Sequence, residues 1–237
     1  MFRRFPHIAV ASLAALTIGL SACSNATPAT SPSADQQTTS QTSPAATNPE
    51  STADTAQKTA DPDLASKILT GEVAGVTLKE MSEIPDLDSA LKGTDAQVEP
   101  AGCLNTGITQ LVAGATSVTQ TGVASLLLSS DSAAPGKYKE YAQKCTSASG
   151  TVAGSPVKQT IEMQQAPAVE GVNDLVAVIA TSESTVNGKA LSTKAYLLIG
   201  SINGNTVIAQ SLTLNGGEPS TETATELFKA QVEKLKG

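Results

Sequence analysis

The chain has 237 residues, a formal net charge of −7, 3% aromatic residues and no tryptophan. Its two arginines, Arg3 and Arg4, and its one histidine, His7, all stand at the amino terminus. Without a basic stripe or stacking aromatics the composition argues against nucleic acid as a partner, and the mild acidity reads as a solvated surface.

The first segment settles what the histidine means. Arg3 and Arg4 precede an apolar run from Ile8 to Leu20, and small residues follow in Leu20-Ser21-Ala22-Cys23. A basic start, a short apolar middle and a small-residue cut site make a secretory signal over residues 1–22, too short for a membrane span. The placement of Cys23 resembles the lipobox of bacterial lipoproteins. That resemblance implies that Cys23 becomes the lipidated first residue of a mature chain held to the cell membrane on its extracytoplasmic face. Cleavage removes His7, so the mature chain has no imidazole for a Ser-His-Asp or Cys-His machine or for a His-based zinc site. No metal, no cofactor and no catalytic residues are expected, and the expectation is a protein that is not an enzyme.

Ser24 to Ala60 contains no Leu, Ile, Val, Phe or Tyr. Such a segment cannot bury enough apolar surface to offset its ordering entropy, so residues 23–60 are expected to form a disordered tether. As a flexible coil its ends lie ~35 Å apart on average, enough to lift a domain off a membrane. Its Ser, Thr and Pro content also resembles O-glycosylated stalks.

About 175 residues from Asp61 onward suffice for one domain with a proper core. Asp61-Pro62-Asp63 predicts a helix start, with Leu64, Ala65, Ile68 and Leu69 on one face and Gly71 ending it. A short apolar piece, Val76 to Met81, follows. Asp86 caps a small helix running through Leu91 to Gly93. Asp86 and Asp88 suggest calcium, but Ala90 and Leu91 stand where the loop needs a ligand and glycine, so they read as helix-start acids. Pro100 begins a third predicted helix carrying Cys103, Gly107 and Leu111 on one side, with Ile108 and Val112 beside them.

Val118 to Leu128 reads as a strand, buried on both faces at Leu126-Leu127-Leu128. Asp131 or Ser132 caps an amphipathic helix on which Tyr138, Tyr141, Ala142 and Cys145 make one stripe. The two tyrosines read as core packing rather than a ligand platform. With Cys103 and Cys145 the only cysteines after Cys23, an oxidising compartment favours one disulfide, which would pin the two helices together. Two free buried thiols, or a redox pair, are weaker readings because no C-x-x-C is present.

Val157, Ile161 and Met163 alternate with polar residues as in a half-buried strand. Asn187-Gly188 and Asn203-Gly204 suit tight hairpin turns and separate Leu175–Thr181, Ala195–Ile202 and Thr206–Leu214, which read as a three-stranded antiparallel meander. Pro219-Ser220 opens a terminal helix with Ala224, Leu227, Phe228, Val232 and Leu235 on its buried face. The expected fold is α+β, a mainly antiparallel sheet with flanking helices, as one domain over residues 61–237.

Val98-Glu99-Pro100-Ala101-Gly102-Cys103, the helix Tyr138-Lys139-Glu140-Tyr141-Ala142-Gln143-Lys144-Cys145, and Gly204-Asn205-Thr206-Val207 before a strand carry a family likeness. They resemble the extracellular sensor domain of actinobacterial receptor Ser/Thr kinases of the H type, and the free-standing lipoproteins that share it. Members usually carry two disulfides, and a tryptophan near the place of Tyr141. The resemblance implies a non-catalytic domain that binds something in the cell envelope. A second likeness, in element order, is to lipoproteins with a fold like the photosystem accessory protein PsbP.

Three functions follow for comparison. One is a binding module for an envelope small molecule or protein, its ligand-binding residues unassigned. Another is a scaffolding lipoprotein or, given an apolar cavity, a lipid or small-molecule carrier. The third is an enzyme using carboxylates such as Glu162 or Glu170, which needs paired acids across a cleft.

Overall fold

The computed structural model describes residues 63–84, 95–119, 122–186, 189–214 and 216–237, with the side chain of Val186 excepted. Residues 1–62, and with them Cys23 and the proposed tether, lie outside the described residues, as do Asp86, Asp88 and the small helix expected around them. The strands are β1 (Gly71–Val73), β2 (Val76–Glu80), β3 (Ala96–Glu99), β4 (Leu111–Val118), β5 (Gly122–Ser129), β6 (Ser147–Val152), β7 (Ser155–Gln164), β8 (Asn173–Val186), β9 (Lys189–Ile202) and β10 (Asn205–Leu214). Two helices accompany them, α1 (Ala134–Lys144) and α2 (Thr221–Lys236), with a short 3₁₀ helix at Leu64–Lys67.

The ten strands form one sheet in the order β1-β2-β4-β5-β10-β9-β8-β7-β6-β3. Every neighbouring pair is antiparallel. The class is therefore α+β. The expected meander is present as β8–β9–β10, and β7 and β6 extend it. Its β9–β10 turn is Asn203-Gly204, both at positive φ (51° and 81°), as that dipeptide allows. The second such turn, Asn187-Gly188, lies outside the described residues.

Each face of the sheet carries its own core because side chains alternate along a strand. On one face Leu127, Ile208, Leu197, Val178 and Ile161 pack with Tyr138, Tyr141 and Ala142 of α1. On the other, Leu126, Leu128, Val207, Leu198 and Ala177 pack with Leu227, Phe228 and Val232 of α2. This explains the unbroken Leu126-Leu127-Leu128 run in a strand buried throughout. Gly200 belongs to the α2 side. A Cβ there would come within 2.6 Å of Val172 and 3.0 Å of the Phe228 ring.

The terminal helix begins as the sequence indicates, with Ser220 as N-cap accepting a hydrogen bond from the Thr223 N–H at 3.0 Å. Its buried Gln231 captures the segment before β1. The Gln231 amide donates to the Lys67 carbonyl at 2.9 Å and accepts from the Leu69 N–H at 2.9 Å. Lys234 donates to the Ile68 carbonyl at 2.8 Å. These bonds replace helical ones, so the predicted helix after Asp63 is a single 3₁₀ turn. Ile68 is extended, and Gly71 opens β1 instead of closing a helix. Leu64 and Ile68 are buried nonetheless.

Three further expectations are corrected. The helix from Pro100 does not form: residues 101–104 turn, residues 105–110 are irregular, and Leu111 and Val112 lie in β4. Left-handed backbone at Gly102, Gly107 and Gln110 (φ 88°, 72° and 53°) is incompatible with a helix there. The long strand from Val118 to Leu128 is a hairpin. Val118 ends β4, and Thr119 closes the turn by donating its N–H to the Gly122 carbonyl at 2.9 Å. Met163, expected inward, is 42% exposed. The apolar piece Val76 to Met81 is largely strand β2, whose end is tied to β4 by Met81 N–H donating to the Gly114 carbonyl at 2.9 Å.

Candidate functional site

The strands β8 and β9 are fourteen residues each, longer than their neighbours. Their pairing runs out to Val186 and Lys189, whereas β10 leaves β9 at Leu214 opposite Thr193. The far end of the β8–β9 hairpin thus projects past β10. β7 supports it from the other side, with Val157 opposite Ser184 and Lys158 opposite Glu183.

An open trough of about 580 Å³ lies on this projecting corner. It is lined by Pro156, Val157 and Lys158 of β7, Glu183, Ser184 and Thr185 of β8, and Ala190, Leu191 and Ser192 of β9. Registration across the three strands sorts these side chains into rows. Val157, Ser184 and Leu191 form one row, and Lys158, Glu183 and Ser192 form the next, which points to the opposite face of the sheet. On one face the hydroxyls of Thr185 and Ser192 stand with Lys158 and Glu183, and on the other Ser184 stands with Val157 and Leu191, so each side offers polar contact beside short aliphatic groups. Glu183 is the trough's only acid, so paired-carboxylate chemistry is not assembled there. Glu162 and Glu170, the acids singled out in the sequence, are exposed and do not line the trough.

The cysteine pair is joined as expected: Cys103 and Cys145 form a disulfide with both residues 1% exposed. It ties a turn, not a second helix, to the end of α1. The tyrosines are core, as the sequence suggested. Tyr138 is fully buried, its hydroxyl without a hydrogen-bond partner among the described residues, and its ring lies 5.6 Å from that of Tyr141. Burial pushes the Tyr138 phenol well above the ordinary tyrosine range, with the nearby Tyr141 adding to the effect, and raises Tyr141 too, against the opposing hydrogen bond from Gln159.

A buried carboxylate that sequence reasoning treated only as a helix cap proves more connected. Asp131 accepts from Lys137 Nζ at 2.7 Å, from Thr109 Oγ1 at 3.2 Å and from the Ala133 N–H at 3.0 Å. Burial pushes its pKa up, but these hydrogen bonds and the lysine charge outweigh that and hold it below the usual aspartate value. The carboxylate thereby fastens the irregular segment before β4 to the start of α1. The helix itself begins at Ala134, with Ala133 in the cap position.

Among the described residues no three His, Cys, Asp or Glu side chains cluster as a metal site, and no helix is long and apolar enough to cross a membrane. Comparison with protein-family models, with curated proteins and with solved structures found no match to this chain. The trough was legible only indirectly. The polar stretch Thr181-Ser182-Glu183-Ser184-Thr185 continues the apolar run of β8, which marks a strand that leaves the core without ending.

Proposed function

We propose that the protein is an extracytoplasmic lipoprotein, anchored through acylated Cys23 and a tether over residues 23–60, whose folded part is a non-catalytic binding module of the cell envelope. The observation that carries this reading is the trough on the β7–β8–β9 corner, open to solvent and built on paired strands. Strands hold such a surface rigid, so little ordering entropy is lost on binding. The likeness of the Val98–Cys103 and Tyr138–Cys145 segments to sensor domains of H-type receptor kinases supports it from the sequence side.

The test is thermal melting of the purified protein with fractionated envelope extracts. Binding to the native state raises the melting temperature by mass action, about 2.7 kcal/mol of stabilisation at a hundredfold excess over Kd. A shift with one class of fraction is the expected result; no shift with any fraction overturns the reading. A scaffolding role is the second reading, favoured by exposed Val118 (64%), Met163 (42%) and Leu214 (36%). In-cell cross-linking to one defined protein would select it.

A further inference from the structure

The projecting hairpin has a second property besides its trough. β10 leaves β9 because the chain turns at Gly216 (φ 78°), and Lys194 then grips Glu218 at 2.6 and 2.7 Å. The outer edge of β9 at Lys189–Ser192 is left without a paired strand among the described residues. Such an edge presents unpaired N–H and C=O groups that template a further strand. Lys189 and Ala190 are exposed, and Leu191 and Ser192 half-buried.

Resting on the binding-module reading, we propose that this edge takes an extended acidic–apolar peptide from another envelope protein by strand addition, in line with β10. The incoming backbone pairs with Lys189–Ser192. One of its side chains lies beside Leu191, continuing the Val157–Ser184–Leu191 row, and so is apolar. Another lies near Lys189. Lys158 has Glu183 opposite it, but Lys189 faces Val186 in register and forms no ion pair among the described residues, so an acidic side chain complements it.

The test uses the full chain and a fluorescent hexapeptide of sequence Thr-Val-Thr-Glu-Thr-Glu, in which the Val opposite Leu191 puts a Glu two residues on, on the same face, opposite Lys189, read by anisotropy and by amide NMR shifts. Saturable binding with shifts at Lys189–Ser192 is expected. N-methylating alternate peptide nitrogens removes backbone donors and should weaken binding at least about tenfold. Replacing the glutamates by lysines, or Lys189→Glu in the protein, should weaken it by about tenfold as well. No saturable binding, equal binding of the N-methylated peptide, or shifts confined to other strands overturns the proposal. A concentration-dependent dimer whose shifts fall on this edge also overturns it, since the occupant is then a second copy. If envelope fractions raise the melting temperature while the peptide fails, strand addition falls and the binding-module reading stands.

Discussion

Tyr141 donates its hydroxyl hydrogen to the carbonyl oxygen of Cys103 at 3.2 Å, and Cys103 is bonded through sulfur to Cys145, four residues further along the same chain segment. The turn carrying Cys103 is therefore held to α1 twice, by a covalent link and by a buried hydrogen bond. Gln159 of β7 completes the site by donating its side-chain amide to the same hydroxyl at 3.2 Å.

Tyr141→Phe leaves the Cys103 carbonyl and the Gln159 amide without that partner, and should cost about 1–3 kcal/mol. Tyr138→Phe removes a fully buried hydroxyl that has no partner among the described residues, and should be neutral or stabilising. Urea denaturation of the two variants checks the contrast. Equal losses would contradict the assigned bonding.

Converting both Cys103 and Cys145 to alanine opens a loop of sequence separation 42. In the chain-entropy model the loss is ~4 kcal/mol. The denaturation midpoint should fall accordingly. A variant as stable as the parent would mean that the link contributes nothing to the fold.

Gln231→Leu keeps the size of a fully buried side chain but strands the Lys67 carbonyl and the Leu69 N–H. The expected loss is about 2–4 kcal/mol, with raised hydrogen exchange in residues 64–73 while β8 and β9 stay protected. Uniform exchange across the sheet would show that the segment is not a separate latch.

Asp131 is held below its ordinary pKa in the folded protein, so the unfolded chain binds its proton more readily. The stabilisation is complete above the ordinary value of 3.8 and is lost as pH falls through the folded value. Asp131→Asn should lower stability at neutral pH and flatten its decline below about pH 4. At the other end, the raised tyrosines act oppositely: stability is full below pH 10 and declines above it, as the unfolded chain ionises. Acid titrations of parent and variant that superimpose would contradict the first statement.

Periodicity made the meander and the terminal helix legible, because Leu175–Thr181, Ala195–Ile202 and Thr206–Leu214 sit between turn dipeptides and Ser220 is a strong cap. It misplaced the segment from Pro100 because apolar spacing at Cys103, Gly107 and Leu111 does not report the left-handed backbone at Gly102, Gly107 and Gln110. It missed the hairpin at Val118–Gly122 because neither flank carries an Asn-Gly or Asp-Gly signal. The 3₁₀ turn after Asp63 depends on Gln231, more than 160 residues away in the chain, as recorded by separations of 162 and 164. The trough lies where β8 and β9 run on past β10, whose pairing ends at Leu214 opposite Thr193, and no pattern within the strands marks that end.

The measurement that bears most directly on the whole account is the mass of the amino-terminal peptide from protein isolated out of its own cells. A membrane-fraction chain beginning at Cys23 and carrying a diacylglyceryl group is the predicted result. A cytosolic chain that retains Met1 and an unmodified Cys23 would contradict it.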